Sequence, residues 1–327
     1  MRAELIYNPV AGQIVIRHIL EDLIQFLNRS GWSVSIRQTT GPGEATELAR
    51  DAALNGAQVV IAAGGDGTVS EVANGLIGSE AALGVLPIGT SNTFALQMGI
   101  PTLNPLLPTK NFAKLLMDLE ENVARPLPTN FYRKVLFNAA RVLVEKRTIR
   151  VDLGKLGDRY FLMWAGIGLD ALITENVSLE EKQAYGAWAY IPRTIRTIRQ
   201  FPGAEVRLAL DGKNIVSNTT LIIVSNIQLY AGILPVGLIA RVDDAKLDVC
   251  IFKGGGFFTF VQHALKVASH RQLKDPQIDY HQCQKITIES VRDLPIHLDG
   301  EPYTHTPVTI ETVPSAIEVI VPKRYSG

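Results

Sequence analysis

Residues 58–75, QVVIAAGGDGTVSEVANG, decide how this chain is read. An apolar strand, Val59 to Ala63, runs into Gly64-Gly65-Asp66-Gly67-Thr68. An amphipathic helix begins at once, with Val69, Val72, Ala73 and Leu76 on one face. Three glycines around one carboxylate let backbone N–H groups approach a polyanion closely. The helix N-terminus adds partial positive charge. Asp66 then reads in two ways. It can cap the following helix through its side chain, or it can hold a cation such as Mg²⁺ that reconciles a carboxylate with phosphate. The flanking glycines favour the second reading, nucleotide phosphates with magnesium. No Gly-x-x-x-x-Gly-Lys-Ser/Thr occurs, and no Gly-x-Gly-x-x-Gly opens a helix after a strand, which disfavours a Walker loop and a dehydrogenase-type dinucleotide fold.

Upstream and downstream of this stretch, strand and helix alternate. Residues 3–7 read as strand, and Ile16, Ile19, Leu20, Leu23 and Leu27 form a helical stripe closed near Gly31. Trp32, Val34 and Ile36 alternate with polar residues as a strand, and 44–55 is a helix ending at Gly56. Residues 83–86 form a further strand, followed by Pro-Ile-Gly-Thr-Ser-Asn and a helix up to Gly99. This order predicts an α/β domain with a mostly parallel, Rossmann-like sheet and helices on both faces. Ligands bind such sheets beyond the carboxyl ends of the strands. Three loops leave that edge: Asn8-Pro9-Val10-Ala11-Gly12, Gly64 to Thr68, and Gly89-Thr90-Ser91-Asn92. Prolines at 101, 105, 108, 126 and 128 then break the pattern, and 103–130 reads as an extra segment before a helix at about 131–146.

The second half reads as all-β. Strands are expected at 147–153, 159–165, 205–210, 214–224, 246–252, 285–291, 294–299, 307–312 and 316–321, with helices at about 178–200 and 257–269. Asp211-Gly212 is a strong hairpin turn. Strands at this spacing predict an antiparallel β-sandwich, giving a division into domains 1–146 and 147–327.

Composition narrows the function classes. A chain of 327 residues that is 46% hydrophobic has material for two cores and excludes disorder. Lys+Arg and Asp+Glu are both 32, so no overall field attracts nucleic acid. Cys250 and Cys283 read as buried thiols rather than a disulfide framework. No signal peptide and no apolar run of roughly 18 residues is visible, so the expectation is a cytoplasmic protein that meets a membrane from its inner face.

Further stretches carry chemistry. Leu298-Asp299-Gly300-Glu301 is on its plainest reading a hairpin turn, yet it also places two carboxylates at a strand end. One could hold a metal while the other accepts a hydroxyl proton. His297 alternates onto the face of Asp299 and reads as a satisfied strand residue. Arg241-Val242-Asp243-Asp244-Ala245-Lys246-Leu247-Asp248 reads equally as a solvated acidic turn or as a hard-cation loop. Arg193, Arg196 and Arg199 recur beside Trp188 and Tyr190 and suit an anionic membrane surface or an ordinary solvated helix face. His263 and His270, seven apart, read as structural.

Together these residues resemble the diacylglycerol kinase-type lipid kinases, particularly the bacterial members. The resemblance rests on Tyr7 to Gly12, Gly64 to Gly75, Leu86 to Ala95, Asp244 to Asp248 and Asp299-Gly300-Glu301, in family order over most of the chain. It implies a nucleotide domain related to those of NAD kinases and phosphofructokinases, a lipid-acceptor β-sandwich, and an active site in the cleft between them. It implies ATP contacts at Asn8, Pro9, Val10, Ala11, Gly12, Thr39, Gly64, Gly65, Asp66, Gly67, Thr68, Val69, Ser70 and Thr90. Glu301 would be the proton acceptor with Asp299 beside it, and Asp66 would organise magnesium and phosphate. A structural magnesium site maps onto Asp244, with backbone carbonyls from Arg241 and Lys246. Gln13 departs from the pattern, standing where similar proteins often carry a basic residue, with Arg17 one turn on. The expected reaction is phosphorylation by ATP of a lipid hydroxyl, such as that of diacylglycerol, at a membrane surface, by a possible homodimer. An NAD kinase-like enzyme and a non-catalytic nucleotide- or lipid-binding regulator are the alternatives.

Overall fold

The structure, a computed structural model, describes residues 1–11, 17–102, 129–175, 201, 203–230, 232 and 234–325. Two compact units divide the chain. One comprises Met1–Val151, Ala231–Ile233 and Ser315–Gly327, the other Asp152–Tyr230 and Leu234–Pro314. The sequence boundary at 146/147 falls inside the first unit, and the C-terminal segment from Ser315 belongs to the first unit as well.

The first unit is parallel α/β. Strands β1 (Arg2–Tyr7), β2 (Ser33–Gln38), β3 (Val59–Gly64) and β4 (Ala82–Pro87) lie in the order β2-β1-β3-β4, every pair parallel. The helices are α1 (Arg17–Arg29), α2 (Glu44–Leu54), α3 (Asp66–Leu76), α4 (Thr93–Gln97) and α5 (Thr129–Glu145). Right-handed crossovers fix their faces. The step from β1 to β2 runs one way and the step from β2 to β3 runs back past β1. Accordingly α2 packs on α3, and α1 packs on α5. With both faces covered, β3 and β4 are buried at every residue, which is why VVIAAG and ALGVLP are continuous apolar runs instead of alternating ones. At the edge, β2 leaves Ile36 48% exposed. Gly75 allows the approach of α2 to α3, since a Cβ there would stand 2.3 Å from the Thr46 carbonyl oxygen.

The second unit is antiparallel. Its strands are the latter part of β5 (Thr148–Leu156), then β6 (Arg159–Phe161), β7 (Trp164–Gly168), β8 (Ala204–Leu210), β9 (Lys213–Ser225), β10 (Leu229–Tyr230) and β11 (Leu234–Pro235). There follow β12 (Leu247–Lys253), β13 (Ile278–Cys283), β14 (Lys285–Ser290), β15 (Pro295–Leu298), β16 (Glu301–His305) and the start of β17 (Val308–Ile320). Helices α6 (Leu169–Glu175) and α7 (Phe257–Ala268) interrupt them. The pairing order is β16-β15-β7-β9-β8-β14-β17, with β12 joining β9 to β13. Inward residues such as Val206, Leu208, Ile222, Val224, Ile251, Ile286, Ile288 and Ile296 share one core. On β8 the alternation is clean: Val206, Leu208 and Leu210 are buried, while Glu205 and Arg207 are exposed.

Several expectations are revised here. β13, β16 and α6 are elements the sequence reading lacks. The expected strand 159–165 is two strands, bent at Leu162-Met163. Strands 307–312 and 316–321 are one strand, β17, which passes from the second unit to the first between Pro314 and Ser315. Ser315 is left-handed (φ 50). Residues 12–16, with Gly12 and Gln13, most of the 103–130 segment, and the basic stripe at Arg193, Arg196 and Arg199 lie outside the described residues. Among the described residues no helix is long and apolar enough to cross a membrane.

Both cysteines are buried and free, and burial pushes both thiols up, Cys283 to about 12. Asp248 on β12 is buried, receiving the Tyr280 hydroxyl at 2.6 Å and the Gln282 amide at 3.3 Å. Burial pushes its carboxyl up to about 6 against these two hydrogen bonds. A raised folded-state pKa means that the native protein binds more protons than the unfolded chain between about pH 4 and pH 6. Stability is therefore expected to fall as pH rises through that window, by roughly 3 kcal/mol at most. Asp248→Asn keeps an acceptor for Tyr280 and should flatten this dependence. Urea unfolding in EDTA at a series of pH values measures it, and an unchanged slope in the variant counts against Asp248 as its source.

Candidate active site

The order β2-β1-β3-β4 reverses between β1 and β3, and open α/β sheets take ligands at such a reversal. The two loops leaving that point are bonded to each other. Asn8 N–H donates to the Ala63 carbonyl at 3.1 Å, and its side-chain amide donates to Thr68 Oγ1 at 3.1 Å. Its Oδ1 accepts Val10 N–H at 3.0 Å, turning the chain through Pro9 to Ala11. Thr39 is buried beside them, its N–H on the Tyr7 carbonyl at 2.9 Å.

Asp66 occupies a position that neither sequence reading described. It does not cap its own helix: α3 has Gly65 as its cap residue and no side-chain capping bond. Instead its Oδ2 accepts Thr93 N–H at 2.9 Å and its Oδ1 accepts Phe94 N–H at 3.1 Å, so it caps α4. Asn92, buried and left-handed (φ 50), ties the same turn by accepting Gly89 N–H at 3.0 Å and donating to the Gly89 carbonyl at 2.6 Å. The two glycine loops are in backbone contact. A Cβ on Gly89 would stand 2.5 Å from Gly65 Cα, and one on Gly64 would stand 2.3 Å from Thr68 Cβ. Thr90 is exposed at this edge, while Thr68, Val69 and Ser70 are buried. Glu71 on α3 performs the equivalent service for α2, accepting Gly43 N–H at 2.9 Å and Ala45 N–H at 3.0 Å.

These residues fit a polyphosphate. The helix start at Gly65 lacks a side-chain cap, and glycines keep its surroundings clear of Cβ atoms. Asp66 also fits a hard cation in kind, because a carboxylate offers about four acceptor sites and can accept backbone N–H groups and face a metal at once.

In the second unit, the 241–248 loop is tied by Asp152 of β5 and by its own side chains. Asp152 Oδ2 accepts Ala245 N–H at 2.6 Å, Asp244 Oδ1 accepts Lys246 N–H at 3.1 Å, and Arg241 pairs with Asp243 at 3.1 Å. Among the described residues no cluster of three or more His, Cys, Asp or Glu groups could hold a metal. One carboxylate with two carbonyls, the arrangement implied for Asp244, Arg241 and Lys246, is a set of a different kind.

The Asp299-Gly300-Glu301 stretch is both a hairpin turn and a framework. Asp299, left-handed (φ 49), accepts three backbone N–H groups, from Leu162 at 2.8 Å, Met163 at 2.9 Å and Trp164 at 3.0 Å. This is what bends β6 away from β7. Glu301, 43% exposed, receives the Arg159 guanidinium at 2.8 Å, and Arg159 lies over the Tyr303 ring at 5.3 Å. The two carboxylates thus have different surroundings: Asp299 accepts backbone donors, while Glu301 faces solvent beside a cation.

Below the turn, His297 is buried with both ring nitrogens partnered. Nδ1 accepts Gly300 N–H at 3.1 Å, and Nε2 meets Asp170 Oδ2 at 2.5 Å. Burial alone would raise the Asp170 carboxyl, but His297 and the Tyr230 hydroxyl outweigh it and hold it below the usual range. Asp170 and Tyr230 also line an apolar cavity of about 100 Å³ in this unit, walled by Leu221, Ile223, Val236, Phe252 and Phe260. His263 on α7 lines it too, bonded to the Lys253 carbonyl at 2.9 Å as a structural histidine. Arg159 and Asp170 were missed as site residues. Their sequence signals are weak, because their partners Glu301 and His297 lie 142 and 127 residues away along the chain.

Comparisons with known proteins bear on the family and the fold. Residues 2–119 match the model of the diacylglycerol kinase catalytic domain, and residues 164–321 match that of the YegS C-terminal NAD kinase beta sandwich-like domain. The chain belongs to the family that joins a diacylglycerol kinase catalytic domain to this beta sandwich-like domain, with a parallel α/β region first and an antiparallel β domain after it. It is 28% identical over 324 residues to the diacylglycerol kinase of Bacillus subtilis (strain 168), covering 98% of this chain and 97% of that one. It is 26% identical over 325 residues to that of Staphylococcus carnosus, covering 98% and 95%. A crystal structure of a candidate diacylglycerol kinase from Bacillus anthracis str. Sterne superposes with a TM-score of 0.76 at 25% identity, covering 99% of this chain and 96% of that one.

Proposed function

We propose that this protein transfers the terminal phosphoryl group of ATP to a hydroxyl of a membrane lipid of the diacylglycerol kind. The family implies ATP. The observation that carries the lipid part is the second unit's combination of a solvent-facing carboxylate, Glu301, with an apolar cavity of about 100 Å³. A polar, soluble acceptor such as a dinucleotide gives no reason for such a cavity.

The division of labour follows from the chemistry of each unit. Residues Asn8 to Ala11 and Gly64 to Ser70 would hold the phosphates through backbone N–H groups and the start of α3. Asp66 would hold magnesium, which when bound offsets charge on the phosphate oxygens. Thr39 supports the floor of this loop, and Thr90 stands at its rim. Glu301 would accept the acceptor's hydroxyl proton, with Arg159 fixing the carboxylate's direction. Asp299 holds the turn from which Glu301 projects. The 241–248 loop, through Asp244 and the carbonyls of Arg241 and Lys246, would take a second, structural magnesium. The protein would act on the cytoplasmic face of the membrane, reaching its acceptor as a peripheral visitor.

The test is radiolabelled ATP with vesicles of total lipid extract, in parallel with NAD as the acceptor. Label in an organic-phase phospholipid, dependent on magnesium, supports the proposal. Label in NADP, or none in lipid while nucleotide binds, overturns it in favour of a soluble acceptor or a regulator.

A further inference from the structure

The Asp299-Gly300-Glu301 turn is held from below as well as from the side, and the lower attachment is a buried imidazole. His297 is 1% exposed and lies two residues before Asp299 on β15. The strand beside it makes room. On β7, a Cβ at Gly166 would stand 2.2 Å from Asp170 Oδ2 and 2.3 Å from His297 Nε2, so only glycine admits the pair. The protonation of the ring follows from its partners. A backbone N–H can only donate, so Nδ1, which receives Gly300 N–H at 3.1 Å, carries no proton. The proton of the neutral ring then sits on Nε2 and is donated to Asp170 Oδ2. Asp170 opens α6 directly after β7, and its side chain is 15% exposed.

We infer that His297 is a positioning residue for the phosphoryl transfer: through Nδ1 it fixes the Gly300 N–H, and with it the direction of Glu301, while Asp170 keeps the ring in the one tautomer that can do so. This rests on the lipid kinase reading. Losing the Nδ1 acceptor leaves Gly300 N–H without its partner and lets the turn rotate, with Glu301 the next residue along. The ring itself touches neither substrate nor phosphate in this scheme.

Two substitutions separate the ring's two attachments. The amide oxygen of asparagine stands where Nδ1 stands, so His297→Asn keeps an acceptor for Gly300. Glutamine reaches as far as Nε2, so His297→Gln keeps a partner for Asp170 and gives up Gly300. The experiment measures kcat, the KM values for ATP and lipid, and circular dichroism for both variants. It adds ¹⁵N spectra of histidine-labelled wild type and exchange of the Gly300 amide. The expected result is a ~10²-fold loss of kcat in His297→Gln with both KM values nearly unchanged, and recovery to within about tenfold of wild type in His297→Asn. The wild-type ring should show the Nε2–H tautomer and Gly300 a protected amide. Equal losses in two folded variants, full activity in His297→Gln, or a proton on Nδ1 overturns the inference. Should His297→Gln fail to fold, the ring tautomer and the Gly300 exchange decide the matter alone. A wild type that phosphorylates no lipid overturns the kinase reading by itself, and with it the catalytic half of this inference, while the two spectroscopic readings still decide whether His297 holds the turn.

Discussion

Asp66→Ala is expected to lower ATP turnover by about 10²–10³-fold, the scale on which a preorganised electrostatic partner of a transferring phosphoryl group acts. The same substitution has a structural cost that the sequence reading did not include. Thr93 and Phe94 are buried, and both their N–H groups donate to this carboxylate. Removing a buried acceptor costs roughly 1–3 kcal/mol for each donor left behind. The variant should therefore unfold at lower urea concentration than wild type and still be folded in water. Turnover measured alongside urea unfolding separates the two effects. Near-normal lipid phosphorylation by the folded variant would reduce Asp66 to the cap of α4, and the magnesium role would have to move elsewhere. If the loss is chemical, magnesium titration should show weakened cation dependence in addition to the stability loss.

Glu301→Gln should reduce kcat by about 10²–10⁴-fold while leaving nucleotide affinity close to wild type. Glutamine preserves the length of the side chain and an oxygen for Arg159, which lies 2.8 Å from the carboxylate. What it removes is the capacity to take a proton. Because Glu301 is 43% exposed, little stability should change with it. Asp299 is a poor substitute base on geometric grounds, since it already accepts three backbone donors and holds the bend between β6 and β7. An unchanged kcat in Glu301→Gln would direct the search for the base away from this turn. A collapse of folding in Asp299→Ala, with Glu301→Gln intact, is the complementary outcome and fits the framework role of the first carboxylate.

Much of the first unit was legible because its signals are local. The apolar runs at 59–63 and 83–86, the glycines after each, and the helical stripe at 69, 72, 73 and 76 fix strand, turn and helix within a few residues. The topology then places the Asn8 and Gly64 loops together at the β1/β3 reversal, as parallel βαβ order requires. The second unit was less legible for the opposite reason. β13 and β16 carry mixed polar residues, DYHQ and EPYTH, whose pattern follows from neighbours distant in sequence. The sequence reading leaves 313–315 as a gap between two strands, yet β17 runs unbroken from Val308 to Ile320. Antiparallel pairing of this kind is decided by cross-strand contacts, which single-strand periodicity does not encode.

What the sequence by itself determined is the chemistry on offer: a glycine-flanked carboxylate at the end of a parallel strand, a pair of carboxylates at a hairpin, and the domain types that carry them. Only the tertiary structure decided which task each group performs. It gave both oxygens of Asp66 to the start of α4, assigned Asp299 to the backbone and Glu301 to solvent, and joined His297 to Asp170 across 127 residues of chain. The physical reason is that a carboxylate's role is set by the donors that reach it, and in this protein most of those donors come from strands and helices far away along the chain.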